Sequence, residues 1–266
     1  MSPNEDRHAD RPERRTRTGR GGRQALAAPF PEIGAGGFTS RDGTVEFLSR
    51  VHALLQPHMQ VLEFGAGRGA GLQDDAVSFR RRLRNLRGKV ARVVACDVDE
   101  AVLTHPGADE TVVIQPDAPL PFADAAFDLV VSDFVFEHIQ DPALVSAELA
   151  RVLKPGGWLC ARTPNRYGPV SLVTRLIDNS RHSRVLRWAQ PERKEIDVFP
   201  TAFRLNSLRA LRRWLPTERF EHYTYHYEPE PGYYFNSRLM LRLLLFLGWL
   251  LPPVMKTNLF VFLRKR

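Results

Sequence analysis

The residues best suited to chemistry stand in a glycine-rich run that follows a short apolar segment. The run Val61-Leu62-Glu63-Phe64 leads directly into Gly65-Ala66-Gly67-Arg68-Gly69, with glycine at every second position. Glycine is needed where the backbone adopts a positive φ or where a ligand touches the main chain. In open α/β sheets, a turn of this kind after the first strand binds nucleotide-like cofactors. The run therefore predicts a cofactor-binding loop.

Two classes of cofactor fit this loop. The spacing of Gly65, Gly67 and Gly69, with alanine in the last place, satisfies the dinucleotide pattern. Glu63 argues against a dinucleotide, because a carboxylate two residues before the first glycine would repel a pyrophosphate. The same carboxylate suits a ligand that carries an ammonium group and a sulfonium, as S-adenosylmethionine does. A dinucleotide stays open as the alternative at this point.

Acidic residues end the strands that are predicted next. Residues 90–97 form a β-branched run that ends at Asp97, where a carboxylate can accept both hydroxyls of a ribose. A third strand ends at Asp117 and a fourth at Asp133, and the fifth runs from a Lys-Pro-Gly-Gly turn to Thr163. Helical patterns alternate with these strands, which by the crossover rule predicts a parallel sheet.

This succession of motifs resembles the class I S-adenosylmethionine-dependent methyltransferases. Its landmarks occur in the expected order between residues 59 and 165: the acidic and glycine loop, Leu120-Pro121-Phe122, Phe127-Asp128, Glu137-His138 and Leu153-Lys-Pro-Gly-Gly157. They are similar to a type 11-like family that includes quinone-biosynthesis C-methyltransferases and many small-molecule O-methyltransferases. Residues 42–47, 161–165 and 199–206 look like a subgroup found near bacterial surface-polysaccharide and glycolipid pathways.

The resemblance implies both a fold and a cofactor. The fold would be a Rossmann-like sheet of seven strands, mostly parallel with an antiparallel last strand, with helices on both faces. One such domain would cover residues 38–266, and S-adenosylmethionine would be its cofactor. The residues that the resemblance assigns to the cofactor are Glu63, Gly65, Ala66, Gly67, Gly69, Asp97, Val98, Asp117, Ala118, Asp133 and Phe134.

Candidate residues for the methyl acceptor follow the fourth and fifth strands. Asp133 and His138 lie where an acceptor must bind and are the candidate catalytic residues, although His138 also fits a structural, hydrogen-bonded role. Arg162 and Asn165 are candidates for holding an anionic or polyol acceptor, with capping as the alternative. Residues 165–206 are expected to form an insertion on the acceptor side. No cluster of His, Cys and Asp has metal-ligand spacing, so no metal is expected.

These observations predict transfer of a methyl group to a hydroxyl of a small molecule or of a lipid- or nucleotide-linked sugar. C-methylation of a quinone-type precursor is one alternative. A module that binds the cofactor without catalysis is another.

Charge and composition restrict the partners. The chain of 266 residues has a net charge of +8, and residues 1–24 carry seven Arg against four acidic residues. Low hydrophobicity predicts a disordered basic tail over residues 1–30. Nucleic acid is not the expected partner, because no aromatic residue that could stack on bases precedes Phe30. The arginines at 80, 81, 84 and 87 are expected to form a solvated helix face.

Residues 239–251 form an apolar helix of unusual composition. Its length of about 20 Å is too short for the hydrocarbon core of about 30 Å. A buried helix between the last two strands is expected, and contact with a membrane surface or with a second copy is the alternative, so the chain is a monomer or a homodimer. Cys96 and Cys160 lie inside predicted strands, which indicates reduced thiols in a cytoplasmic protein. The inner face of the membrane is the alternative location.

Overall fold

A computed structural model describes residues 25–116, 118–169, 171–172, 200–232, 234 and 237–266. The first 24 residues of the predicted tail, Asp117 and most of the insertion at 165–206 lie outside these ranges. Residues 25–30, the end of the predicted tail, are described by the structure, and they differ from the expected disorder. Ala25 and Phe30 are buried. Phe30 is the first aromatic residue of the sequence, so burial of apolar surface begins before the predicted end of the tail.

The strands form one mixed sheet in the order β3-β2-β1-β4-β5-β8-β6, with β7 also beside β8. β1 to β5 pair in parallel, and β8 runs antiparallel to its neighbours. This topology confirms the predicted Rossmann-like α/β fold. The strands are β1 Gln60–Phe64, β2 Arg92–Asp97, β3 Glu110–Val113, β4 Phe127–Asp133, β5 Leu153–Pro164, β6 Phe220–His222, β7 Tyr225–Tyr227 and β8 Asn258–Lys265.

β6 and β7 are two parts of one strand position. Phe220 lies opposite Lys265 and Tyr225 lies opposite Phe260, so both segments keep the same register against β8. Between them, the N–H of Tyr223 donates to the carbonyl of Phe262 over 2.8 Å. The sheet therefore has the seven predicted strand positions, with a local interruption in the sixth.

Helices cover both faces of the sheet. Asp42 caps α1 by accepting hydrogen bonds from the N–H groups of Thr44 and Val45, and α1 packs with α3 on one face. α4 and α5 pack on the other face. Successive residues of β1, Val61 and Leu62, belong to these two different cores, as the alternation of a strand requires. The helices are α1 Gly43–Leu54, α2 Ala70–Gln73, α3 Ser78–Arg84, α4 Pro142–Val152, α5 Leu208–Trp214 and α6 Arg238–Leu250.

α6 is not the buried helix expected from its composition. Only Leu241 is buried in it. Tyr227 at the end of β7 pairs with Asn258 at the start of β8. Both ends of this connection therefore lie at the same end of the strands, where β5 also finishes. The chain does not have to cross a face there, and α6 consequently lies outside the two helical layers. No helix among the described residues is long and apolar enough to span a membrane.

Candidate cofactor site

The glycine loop joins β1 to α2 at the carboxyl edge of the sheet. Gly65, Gly67 and Gly69 have φ angles of 73°, 51° and 69°, which confirms the expected left-handed backbone. The N–H groups of Gly65 and Ala66 both donate to the carbonyl of Cys96 at the end of β2. The loop is therefore fixed to the neighbouring strand before it turns into α2.

Added side chains would meet different surroundings at the three glycines. A Cβ on Gly65 would overlap Val135, and a Cβ on Gly69 would lie 2.8 Å from Cδ2 of His105. At Gly67 the nearest atom would be Oδ2 of Asp97, 3.9 Å away. Packing thus requires glycine at 65 and 69, whereas Gly67 borders open space. A ligand can approach the main chain at Gly67.

Asp97 lies beside this opening, and its side chain is held by the backbone. Oδ2 accepts the N–H of Gly67 over 2.7 Å, and Oδ1 accepts the N–H of Asp99 over 3.0 Å. Each carboxylate oxygen keeps a second lone pair. Since no basic side chain bonds Asp97 in the described part of the chain, two acceptor positions are left for a pair of hydroxyl groups.

Glu63 forms a pair with His105, a residue that sequence reasoning missed. Burial raises the pKa of Glu63 to about 8, against the opposing effect of the Arg84 charge. Nδ1 of His105 accepts the N–H of Gly107, so the ring proton is on Nε2, which lies 3.5 Å from Oε2 of Glu63. Burial also lowers the pKa of His105. No spacing rule links these two residues, because His105 arrives from the loop after β2.

Asp133 is bound by two arginines at the end of β4. Its oxygens accept from Nε and Nη2 of Arg162 over 2.7 Å each, and Oδ2 also accepts from Nη1 of Arg84 over 3.0 Å. Burial opposes its ionisation, yet the two guanidinium groups hold the pKa of Asp133 down at about 2. A carboxylate in this state does not take up a proton near neutral pH. The geometry therefore argues against the predicted catalytic role and assigns Asp133 to the support of the crevice.

Arg162 is committed to other parts of the fold, in contrast to the expected contact with an acceptor, since three of its five N–H groups donate within the chain. Besides the two bonds to Asp133, its Nη1 donates to Oγ1 of Thr44 over 3.0 Å. Its guanidinium lies 4.6 Å from the ring centroid of Phe134, and the residue is buried. Arg162 thus links β5, β4 and the first turn of α1.

Phe134 follows β4 with a backbone that a phenylalanine rarely adopts. Its φ is 59°, and its N–H donates to the carbonyl of Arg162 over 2.8 Å. Positive φ is strained for a bulky residue and persists only where the surroundings impose it. The half-exposed ring is held where β4 ends, at the place that the resemblance assigns to the cofactor.

Asn165 is fully buried, and its amide is satisfied within the chain. Nδ2 donates to the carbonyls of Val254 and Lys256 over 2.8 Å each, and Oδ1 accepts the N–H of Tyr167. The predicted role in acceptor binding is therefore replaced by a structural one, since Asn165 fixes the segment that leads into β8.

His138 and Glu137 connect the loop after β4 to the end of β5. Nδ1 of His138 lies 2.9 Å from the carbonyl oxygen of Pro200. A carbonyl only accepts, so Nδ1 carries a proton, and Nε2 lies 4.0 Å from Oε1 of Glu137. Oε2 of Glu137 accepts the hydroxyl of Thr163, which in turn accepts Nδ2 of Asn206. Glu137 thus anchors the loop that presents His138.

The arginine-rich helix α3 faces inward, contrary to the expected solvated face. Arg80 pairs with Asp42 at 2.9 Å and with Asp75 at 2.7 Å, and Arg84 pairs with Asp133. Two of these partners lie 38 and 49 residues away in the sequence, so periodicity within α3 gives no sign of them. Arg84 is the basic residue of the site that sequence reasoning missed.

The remaining predicted residues lie around the same edge. Val98 is exposed, Ala118 is half-buried, and Asp117 lies outside the described residues. In the residues that the structure describes, no group of three His, Cys, Asp or Glu side chains could hold a metal ion.

The chemistry of this crevice fits a cofactor with vicinal hydroxyls and a positive charge. The approach at Gly67 is bordered by the Asp97 carboxylate, and Glu63 lies two residues before the loop. The two arginines nearby are both bonded to Asp133. A diphosphate would instead need unpaired basic groups or loop N–H groups, and the N–H of Gly67 is already bound to Asp97.

Comparison with known proteins gives a consistent result. Residues 62–161 match the model of a methyltransferase domain family. The chain is 40% identical over 109 residues to a protein of Mycolicibacterium smegmatis named "Probable S-adenosylmethionine-dependent methyltransferase", a match that covers 40% of this chain and 38% of that protein. The chain therefore spans well under half the length of this curated relative.

Two further relatives carry more specific names. A malonyl-[acyl-carrier protein] O-methyltransferase of Methylococcus capsulatus is 29% identical over 184 residues, which is 64% of this chain and 62% of that protein. A demethylmenaquinone methyltransferase of Thermobifida fusca is 37% identical over 108 residues, 37% of this chain and 41% of that protein. The matched domain contains the glycine loop, Asp97 and Asp133.

Proposed function

We propose that this chain, whose residues 62–161 match a methyltransferase domain family, transfers a methyl group from S-adenosylmethionine to a hydroxyl of a small molecule or of a lipid- or nucleotide-linked sugar. The domain match and the named relatives indicate S-adenosylmethionine as the cofactor. The observation that carries the proposal is the contact between Gly67 and Asp97. It combines an open approach to the main chain with a carboxylate that retains acceptor capacity.

The residues of the crevice would bind and orient the reactants. S-adenosylmethionine, when bound, supplies an electrophilic methyl group. Asp97 accepts hydroxyls, Gly67 admits the ligand to the main chain, and Glu63 places a carboxyl beside the loop. The ring of Phe134 limits access of water to the transfer site. Positioning of the nucleophile is then the main contribution of the protein.

His138 is the proposed proton acceptor for a hydroxyl nucleophile. Pro200 accepts the Nδ1–H of the ring, and the Glu137 carboxylate, 4.0 Å from Nε2, would stabilise the ring once it has taken up a proton. General bases contribute about 10²–10⁴ in rate. His138→Ala should therefore lower kcat by about a hundredfold while the affinity for the cofactor is unchanged. Near-normal turnover of this variant would remove His138 from the mechanism and leave it a structural residue.

The decisive experiment is methyl transfer with a labelled cofactor. The purified chain is incubated with methyl-labelled S-adenosylmethionine and cell extract separated into polar, glycan, lipid, protein and RNA pools. We expect label in the polar, glycan or lipid pool and none with the Asp97→Ala variant. Label only in protein or RNA would contradict the proposed acceptor. Tight binding of S-adenosylhomocysteine without label in any pool would favour a non-catalytic module.

C-methylation of a quinone-type precursor is the second candidate. The similarity to a demethylmenaquinone methyltransferase over 108 residues favours it. The carbon chemical shift of the transferred methyl group separates the candidates, because a methyl on oxygen and a methyl on an aromatic carbon resonate in different regions.

A cytoplasmic location is part of the proposal. Cys96 and Cys160 are both buried and free, and burial raises the pKa of Cys96 to about 12. Such thiols stay protonated and unreactive. Free cysteines of this kind support a reducing compartment.

A further inference from the structure

α6 exposes a continuous apolar stripe. With 3.6 residues per turn, Leu239, Leu243, Phe246 and Leu250 fall in one line along the helix, and all four are exposed, Leu239 to 80%. Trp249 is 77% exposed beside them. Large contiguous apolar patches are rare on monomeric proteins and mark surfaces that contact a partner or a membrane.

The charged residues of α6 itself have one sign, and the nearby Glu228 carboxylate lies beside Gly248, on the face opposite the stripe. No acidic residue occurs from position 231 to position 266. The same helical period places Arg238 and Arg242 on the side of the stripe that carries Trp249. Both arginines are exposed, and neither makes an ion pair with any residue that the structure describes.

The stripe lies at the edge of the sheet that carries the cofactor crevice. Asn258, where the connection through α6 returns to the sheet, pairs with Tyr227 and also with Pro164 at the end of β5. β1 and β4 run parallel to β5, so the glycine loop and Phe134 leave the sheet at that same edge. A surface that covered the stripe would therefore lie on the crevice side of the molecule.

We propose that α6 docks the protein on the surface of an anionic lipid bilayer. An interfacial helix has large apolar side chains on one face and basic side chains beside them, and tryptophan is enriched at the level of the head groups. In a two-fold dimer formed through the same stripe, α6 of one molecule would pack against α6 of the other. Arg238 and Arg242 would then face like charges with no acidic residue to pair with them. An anionic surface neutralises these arginines.

Docking in this orientation also indicates the class of methyl acceptor. This conclusion rests on the proposed function. With α6 on the bilayer, the crevice edge faces the head groups. The hydroxyl to be methylated would then belong to a lipid-linked molecule that stays in the membrane during the reaction.

Vesicle binding of the full chain tests the proposal. The protein should co-sediment with vesicles that contain phosphatidylglycerol, bind weakly to phosphatidylcholine alone, and be released by salt, which screens surface charge. Phe246→Glu and Leu243→Glu should each weaken binding by about tenfold, since they place a charge in the apolar face. Tyr223→Glu is the matched control, because Tyr223 is 54% exposed outside α6 and contacts Trp158, away from the crevice end of β5. It should bind like the unchanged protein.

Tryptophan fluorescence reports contact of the helix itself. Emission should shift to the blue on addition of phosphatidylglycerol vesicles and be quenched by brominated lipids, and Trp249→Phe should remove most of both effects. All variants lie on exposed positions, and thermal denaturation verifies that they fold.

Two results would overturn the proposal. One is co-sedimentation that is absent or is unaffected by Phe246→Glu. The other is a dimer, detected by light scattering, that Leu243→Glu dissociates while vesicles are ignored; the occupant would then be a second copy. Vesicle binding needs no cofactor, so loss of methyl transfer with intact binding would contradict only the proposed function.

Discussion

Gly67 and Gly69 stand two residues apart in the same loop and have different tasks. At Gly69 a side chain would meet His105, whereas at Gly67 it would enter the space beside Asp97. Gly67→Ala should therefore weaken binding of S-adenosylhomocysteine by tenfold or more, with a stability loss of about 1 kcal/mol from the positive φ. Gly69→Ala should lose more stability because His105 must move. Calorimetric titration and thermal denaturation of the two variants measure the two effects separately.

Equal losses of stability in the two variants, with equal affinity for S-adenosylhomocysteine, would contradict this division of roles. The comparison is a close one, because the same side chain is added at the same kind of backbone position.

Glu63 should make stability and cofactor affinity depend on pH. Its pKa in the folded protein is raised to about 8 by burial, while the unfolded chain ionises near the ordinary value of a glutamate. Between these values the native state holds the extra proton, so the free energy of unfolding falls as pH rises and levels off above pH 8. Glu63→Gln should flatten this profile in chemical denaturation, whereas Glu218→Gln at an exposed position should leave it unchanged.

The ionisation of Glu63 should also affect the binding of S-adenosylmethionine. A cationic ligand beside Glu63 favours the carboxylate, so affinity for S-adenosylmethionine should rise with pH toward about 8 and a proton should be released on binding. Calorimetry in buffers of different ionisation enthalpy measures that proton. The same proton release from Glu63→Gln would assign it to another group.

At the scale of elements, the ion pairs around β4 support the crevice. Asp133→Asn would leave Arg84 and Arg162 facing a neutral amide, and loss of one partner from a buried pair costs about 3 kcal/mol. Asp124→Asn is the control, because Asp124 pairs with Arg151 at an exposed position, where such pairs contribute little. Urea denaturation of both variants gives the comparison. A small effect of Asp133→Asn would show that the two arginines find other partners.

The elements that the sequence predicts well are those whose pattern is local. The apolar runs of β1, β2 and β4 and the glycine loop are set by neighbouring residues, and the structure has them where they were expected. The predicted burial of α6 and the predicted exposure of the arginines of α3 were wrong, because both depend on distant segments. The pairing of Tyr227 with Asn258 decides the exposure of α6, and Asp42 and Asp133 decide the orientation of the arginines in α3.

The same limit applies to the candidate site. Gly67 and Asp97 were predictable because a motif fixes their place in the fold. The roles of Asp133, Arg162 and Asn165 were not, since polar residues after a strand look alike in sequence whether they face a ligand or each other. His105 and Arg84 lie in segments that carry no motif, and only the tertiary structure brings them to the loop.

At the scale of the whole molecule, the Arg-rich start of the chain adds positive charge to the protein. Residues 1–24 carry a net charge of +3, and every residue of the described crevice lies after them. A protein that lacks these residues should keep its methyl transfer to a detergent-solubilised acceptor. Its binding to phosphatidylglycerol vesicles should weaken, because fewer cations face the lipid. Loss of transfer on this deletion would instead indicate an RNA acceptor.

The register of Tyr227 against Asn258 also makes the connection between them dispensable to the sheet. Two antiparallel strands whose ends already face each other can be closed by a tight hairpin turn. A shortened protein that keeps residues 252–257, whose carbonyls bind Asn165, would retain its donor pocket and diffuse freely. If the connection between Tyr227 and Asn258 were replaced by other sequences, the same methyltransferase domain could be directed to different cellular surfaces.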